Sequence, residues 1–283
     1  MATRARDSAP ATRRAGRRSS RSSSSRAVVP LGYDFQVFMK ALLAAVLLVV
    51  PGSACVFGQD DAPRPFGSLV RSIGGDVTRL VTREPAIVLA LGGGLAVLAK
   101  QQDAGSLRGM TRSHRLEEAL DAGDVAGNGY THAGAAFAVY VLGAATHSPK
   151  VENTGADLIE AQAVSGILTL GLKVAVRRTR PNGAHYSFPS GHSSAAFATA
   201  DVLEQHFGWK AGVPAYIGAA YIGASRIADH QHYLSDVVFG SAIGIASART
   251  LSFAHHGHQV RIAPAATAGG AALVISIIPL PLR

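Results

Sequence analysis

The chain has 283 residues, 48% hydrophobic and 16% charged, with a formal net charge of +9 and a single cysteine, Cys55. That supports one sizeable core and excludes an intrachain disulfide. The charge does not indicate a nucleic-acid partner: residues 1–40 hold nine Arg and Lys against two Asp, a net +7, leaving +2 for residues 41–283, and a phosphate-tracking surface needs clustered positive charge on the folded body.

In chain order, residues 1–38 form a basic Arg/Ser-rich extension with too few large apolar residues to bury a core. The run from Met39, MKALLAAVLLVVPGSACVFGQDD, has a lysine, an apolar stretch, a Pro-Gly break and small residues, and 39–58 is read as a signal peptide. Cleavage is expected after Ala54 or Gly58, and Met39 is read as the biological start, with residues 1–38 an upstream extension. A disordered tail before a signal anchor is the competing reading. A lipid anchor on Cys55 is disfavoured because Gly52 stands where a Leu-like residue is preferred. The chain is expected to be exported, to the periplasm or the periplasmic face of the inner membrane.

Residues 59–84 read as a linker and a first helix, and 85–253 as a helical domain. Apolar segments recur at 86–99, 132–146, 158–173, 193–206, 212–224 and 237–251, none with strict alternation. The expected fold is all-α, a bundle of about six main helices with the active site at one end. DAGDVAGNG (121–129) and HSPKVENTG (147–155) read as turns. The uninterrupted apolar stretches fall short of the roughly 20 residues a bilayer needs, so a soluble or peripheral bundle is favoured over an integral one. The tail, 254–283, carries Gly269-Gly270 before LVISII and reads as a β-hairpin or a membrane anchor. His255, His256 and His258 read as a hydrated linker, and no metal is expected.

Three stretches carry chemistry. In KVAVRRTRP, Lys173, Arg177 and Arg180 fall at i, i+4 and i+7, one face of a helix that Pro181 would end. In YSFPSGHSSAAF, Ser190 is a natural N-cap, Gly191 permits close approach, and the helix start offers free amides to an anion. His192, at that start, could protonate an oxygen leaving the anion. In SRIADHQHYLSD, His232 and Asp236 are four apart, so the carboxylate could fix the tautomer of a nucleophilic imidazole. Arg226 offers a planar fork for phosphate oxygens. His230 competes with His232 but has Leu234, not a carboxylate, four residues on. Taken singly, each stretch could be a capping run, a loop histidine or a surface pair. Together they supply the cations, nucleophile and acid that phosphate transfer requires.

These residues resemble the signature of the type 2 phosphatidic acid phosphatase superfamily, which includes bacterial acid phosphatases and vanadium haloperoxidases. Its pattern K-x6-R-P, P-S-G-H, S-R-x5-H-x3-D is matched by Lys173 to Arg180-Pro181, Pro189 to His192, and Ser225-Arg226 to His232 and Asp236. The resemblance implies a phosphatase domain in which His232 attacks phosphorus, Asp236 orients it and His192 protonates the leaving group. It further implies that Lys173, Arg180, Ser190, Gly191 and Arg226 hold the phosphate, with no cofactor or metal. The implied substrate is a phosphorylated small molecule or a lipid phosphate or diphosphate, with membrane association open. Haloperoxidase activity and a catalytically vestigial bundle are the alternatives. One departure is the short link, residues 182–188, between Pro181 and Pro189, which puts in doubt any grip a longer loop would give on a head group.

Overall fold

The structure is a computed structural model that describes residues 64–110, 120, 122–255, 258–267 and 270–279, with backbone alone from residue 252 onward. The basic extension, the expected signal peptide and Cys55 lie outside the described residues.

Nine helices are present among the described residues: α1 (Phe66–Arg79), α2 (Arg83–Lys100), α3 (Asp103–Met110), α4 (Ala122–Gly127), α5 (Gly129–Ala145), α6 (Pro149–Val176), α7 (Gly191–Phe207), α8 (Trp209–Ala228) and α9 (Leu234–His255). The body is an all-α bundle, and each of the six apolar segments falls on one of its longer helices, the second running one residue past the end of α5. After it, β1 (His258–Thr267) and β2 (Gly270–Pro279) pair antiparallel, with His258 opposite Pro279 and Thr267 opposite Gly270.

Helix α9 is the centre of the bundle, packed against α2, α6 and α7. Residues 240–248 are buried without interruption, which explains why this helix shows no apolar stripe. Its glycines set the geometry of the site. A side chain at Gly240 would strike the backbone of Ser190, and one at Gly244 the backbone of Ser194 and Ala198. The first turn of α7 therefore lies directly on α9. Phe197, Val202, Ile227, Val237 and Ile243 fill the interior around this crossing.

Both expected turns are helical. Residues 122–127 form α4. Residues 149–155 open α6, with Ser148 at the N-cap and Pro149 in the first turn, where a missing N–H costs nothing. The Asn and Gly of this stretch stay helical because the α5–α6 crossing is close: a side chain at Gly155 would meet the backbone of Tyr140, and one at Gly143 that of Glu152. Helix α6 is consequently 28 residues rather than the expected 16-residue segment. Among the described residues it is the one helix long and apolar enough to cross a membrane, and α1 with α2, bent by 61°, would meet the same test as a pair.

The helix ends converge. Helices α6 and α8 bring their C-termini, and α7 and α9 their N-termini, to one end of the bundle. All three chemically marked stretches lie there.

Candidate active site

Helix α6 stops earlier than Pro181 would require. Val176 is its last residue, and Arg177 takes a left-handed backbone, φ 51°, with its N–H bonded to the Lys173 carbonyl at 3.0 Å. Lys173, Arg177 and Arg180 therefore do not share one helix face. Arg177 turns back to the Val174 carbonyl and is exposed, while Arg180 sits on the following loop. That loop is short but firmly braced. Ser187 N–H donates to the Arg178 carbonyl at 2.8 Å, Asn182 N–H to the His230 carbonyl at 3.1 Å, and Ser190 N–H to the Asp236 carbonyl at 3.0 Å. Arg180 donates from Nε to the His185 carbonyl and from Nη1 to Gln231. Lys173 Nζ donates to the Tyr186 carbonyl at 2.7 Å.

His232 lies in the loop before α9, so it and Asp236 are not stacked on one helix as their spacing predicts. Asp236 is in the first turn of α9, buried, and accepts the N–H of Tyr233 at 2.8 Å, the reach-back of a capping box. It also accepts from the hydroxyl of Ser187 and from Arg178 Nη1, the latter at 2.6 Å. The imidazole of His232 is held instead by main chain: Nδ1 is 2.6 Å from the Ser187 carbonyl oxygen and 3.7 Å from Asp236 Oδ2. A carbonyl accepts only, so Nδ1 carries the hydrogen and Nε2 keeps its lone pair. Burial, with the charges of Lys173 and Arg180, pulls this histidine below its ordinary range against the pull of Asp236. The ring is thus neutral and basic at Nε2, as a nucleophile must be. Burial alone would push Asp236 up, but His232, Ser187, Tyr233 and Arg178 outweigh it and keep the carboxylate ionised. His230, by contrast, is exposed.

Ser190 caps α7 as expected, its Oγ accepting from Ser193 N–H at 3.4 Å and Ser193 Oγ at 3.0 Å. It is buried, and its oxygen serves the cap as acceptor. The amides of Gly191 and His192 open the helix, where no carbonyl in the same helix can receive them. Gly191 is packed near Thr169 and the Lys173 side chain, whose Cε would lie 3.9 Å from an added Cβ. Arg226, in the last turn of α8, is also buried, with Nη1 on Asp124 and Nη2 on Asp229 at 2.5 Å. Charge links the group in a chain: Arg180 acts on Lys173, Arg226 on Arg180 and on His192, and Lys173 and Arg180 on His232. The structure thus brings together eight of the nine residues singled out from the sequence, leaving Arg177 outside. Among the described residues, no three His, Cys, Asp or Glu side chains gather as a metal site.

Four supporting residues escaped the sequence reading. Arg178 bridges Asp236 and Asp103, with Nη2 on Asp103 Oδ2 at 2.8 Å and its plane over the Tyr233 ring. Asp103, in α3, also receives Ser235 N–H at 2.9 Å and its hydroxyl at 2.8 Å. Ser187 and Asp124 complete the set. Arg178 sits two residues before Arg180 in an obviously cationic run and could have been suspected. Asp103 is 75 residues from Arg178 and 132 from Ser235 in the chain, and nothing local marks it.

Residues 182–259 match the PAP2 superfamily. The matched span holds Ser190, Gly191, His192, Arg226, His232 and Asp236, with Lys173 and Arg180 just upstream. The chain is 37% identical over 93 residues to a lipid A 1-phosphatase of Porphyromonas gingivalis, 31% of this chain and 21% of that protein. It is 32% identical over 85 residues to a lipid A 4'-phosphatase of Helicobacter pylori, 26% of this chain and 43% of that protein. The chain thus spans less than half the length of these curated relatives. A crystal structure of Aquifex aeolicus LpxE overlaps 53% of this chain and 95% of its own, at 25% identity and a TM-score of 0.46.

Proposed function

We propose that this PAP2 chain is a phosphatase that removes a phosphate group from a lipid through a phosphohistidine on His232. The observation that carries the reading is the tautomer lock. With Nδ1 fixed on the Ser187 carbonyl, Nε2 of a buried, neutral imidazole is left as the nucleophile. Lys173, Arg180, Arg226 and the amides of Gly191 and His192 would spread the charge of the transferring group. His192 would give its proton to the leaving oxygen, and a water would then release phosphate from His232. The lipid substrate is supported by the two similar lipid A phosphatases. It is supported also by the apolar surface that α2, α5 and α6 expose, including Ile87, Leu91, Phe137, Val141, Ile167 and Leu170. We place the enzyme at the periplasmic face of a membrane, after export.

The test is phosphate release by the wild type and by His232→Ala, each with p-nitrophenyl phosphate, phosphatidate, an isoprenoid diphosphate and lipid A, in detergent with a chelator. Release that is faster from a dispersed lipid and vanishes in the variant supports the reading. Release indifferent to His232 sinks it. Faster turnover of the soluble ester removes the lipid assignment alone.

A further inference from the structure

We propose that Asp124 is a positioning residue for the proton donor, its carboxylate taking Nε2–H of His192 so that Nδ1 faces the oxygen leaving phosphorus. The inference rests on the phosphatase reading above and deepens it. His192 Nε2 lies 3.3 Å from Asp124 Oδ1. That nitrogen is sealed from solvent and makes no hydrogen bond in the resting structure, Asp124 being the carboxylate within ion-pair reach of it, yet the side chain as a whole is 25% exposed. The open edge of the ring is therefore the one carrying Nδ1, and a substrate must meet the ring there.

The placement of Asp124 is enforced from both sides. Its carboxylate also accepts from Arg226 Nη1, so one acid ties the phosphate-side guanidinium to the donor imidazole. Helix α4 is pressed against both: a side chain at Gly127 would strike Ile222 and crowd the His192 ring, and one at Gly123 would strike Ser225. The charged and titratable groups that face His192 are Asp124 from α4, Arg226 from α8 and His232 from the loop before α9. Of these, Asp124 alone favours a proton on the ring. Burial and then the Arg226 charge pull the ring down to about 4 against it, and an arriving phosphate would offset Arg226.

The step balances as follows. Nε2 of His232 forms a bond to phosphorus as the phosphorus–oxygen bond of the ester breaks. The electron pair goes to the leaving oxygen, which takes the proton from His192 Nδ1. His192 is left neutral, with Nε2–H still on Asp124, and the incoming water restores the proton on Nδ1 as phosphate departs.

The readout is the leaving group, because a general acid matters for a poor one and little for a good one. The full chain in detergent, as wild type, Asp124→Asn, His192→Asn and the double variant, would be assayed on phosphatidate and p-nitrophenyl phosphate. Asp124→Asn is expected to cut kcat on phosphatidate by about 100-fold and on p-nitrophenyl phosphate by less than about 10-fold. His192→Asn should show the same bias, and the double variant should fall within about 3-fold of His192→Asn, since two residues acting as a unit do not add. Equal losses on both substrates overturn the inference while leaving the phosphatase standing, because Asp124 would then serve Arg226 alone. Unchanged rates also overturn it. A wild type inert on both esters overturns the function itself and this inference with it. Unfolding midpoints of each variant separate loss of fold from loss of chemistry.

Discussion

Nδ1 of His232 is 2.6 Å from the carbonyl oxygen of Ser187, and the carboxylate of Asp236 stands 3.7 Å off. The backbone therefore fixes the tautomer. Asp236 supplies charge near the ring and holds the loop that presents the carbonyl, through the Ser187 hydroxyl. Asp236→Asn should thus slow phosphate release by about 10²–10³-fold rather than abolish it, while His232→Ala abolishes it. Asp236→Ala should also lower stability by about 3 kcal/mol, because it removes one of the two carboxylates that pair with the Arg178 guanidinium, together with the α9 cap. Steady-state kinetics and chemical unfolding check both statements. A null phenotype for Asp236→Asn with unchanged stability would mean that the carboxylate takes the proton from Nδ1 during turnover.

Arg178 joins α9 to α3. It donates to Asp236 with Nη1 at 2.6 Å and to Asp103 with Nη2 at 2.8 Å. A lysine cannot make both bonds in that plane. Arg178→Lys is expected to lower kcat by about 10-fold or more with KM nearly unchanged, since it disturbs the nucleophile's support and not the phosphate cations. Asp103→Asn should move in the same direction with a smaller loss. A rise in KM with constant kcat would instead place Arg178 among the phosphate ligands.

Ser190 offers a clean separation of two roles. Its hydroxyl caps α7 and is buried, whereas the family resemblance assigns it to phosphate. Ser190→Ala should therefore cost about 1 kcal/mol of stability, the usual cost of losing a cap, and raise KM by less than about 3-fold. A rise above about 10-fold, with stability intact, would return the hydroxyl to the phosphate site.

How much of this was legible in the sequence depends on the range of the interaction. The six main helices could be read because their apolar segments are long and bounded, and the Ser190 cap because capping is local. The His232–Asp236 pair was read as a helix-face contact because its spacing is helical, but the loop before α9 runs one residue past His232. That displacement follows from the Tyr233 N–H bond to Asp236, which starts the helix after the histidine. Likewise, Arg177 in the left-handed region ended α6 four residues before Pro181 could. The two expected turns failed for one reason: Gly and Asn read as breakers, yet at the α5–α6 crossing and around α4 they are contact residues. Asp103 and Asp124 meet their partners more than 60 residues away in sequence, a distance over which no local pattern carries information.

Acid should weaken the fold through its histidines. Burial pulls His192 down to about 4, and pulls His232 and His132 below their ordinary value of 6.5. Each folded ring binds protons less readily than its unfolded counterpart, so the unfolded state takes up the extra protons as pH falls. The stability these groups contribute is present above about pH 6.5 and is lost as pH drops toward 4. For His192 alone the loss is at most about 3 kcal/mol, at about 1.4 kcal/mol per pKa unit. Unfolding midpoints of wild type and His192→Gln between pH 4 and 8 check this, and the variant should show the shallower slope. Added phosphate or vanadate should reduce the contrast, because an anion beside Arg226 favours the protonated ring, which narrows the gap between its folded and unfolded affinity for protons, and its binding should draw in a proton near pH 6. Calorimetry in buffers of different ionisation enthalpy measures that uptake. Binding with no proton taken up would place His192 out of reach of the phosphate, and its proton would then have to come from elsewhere.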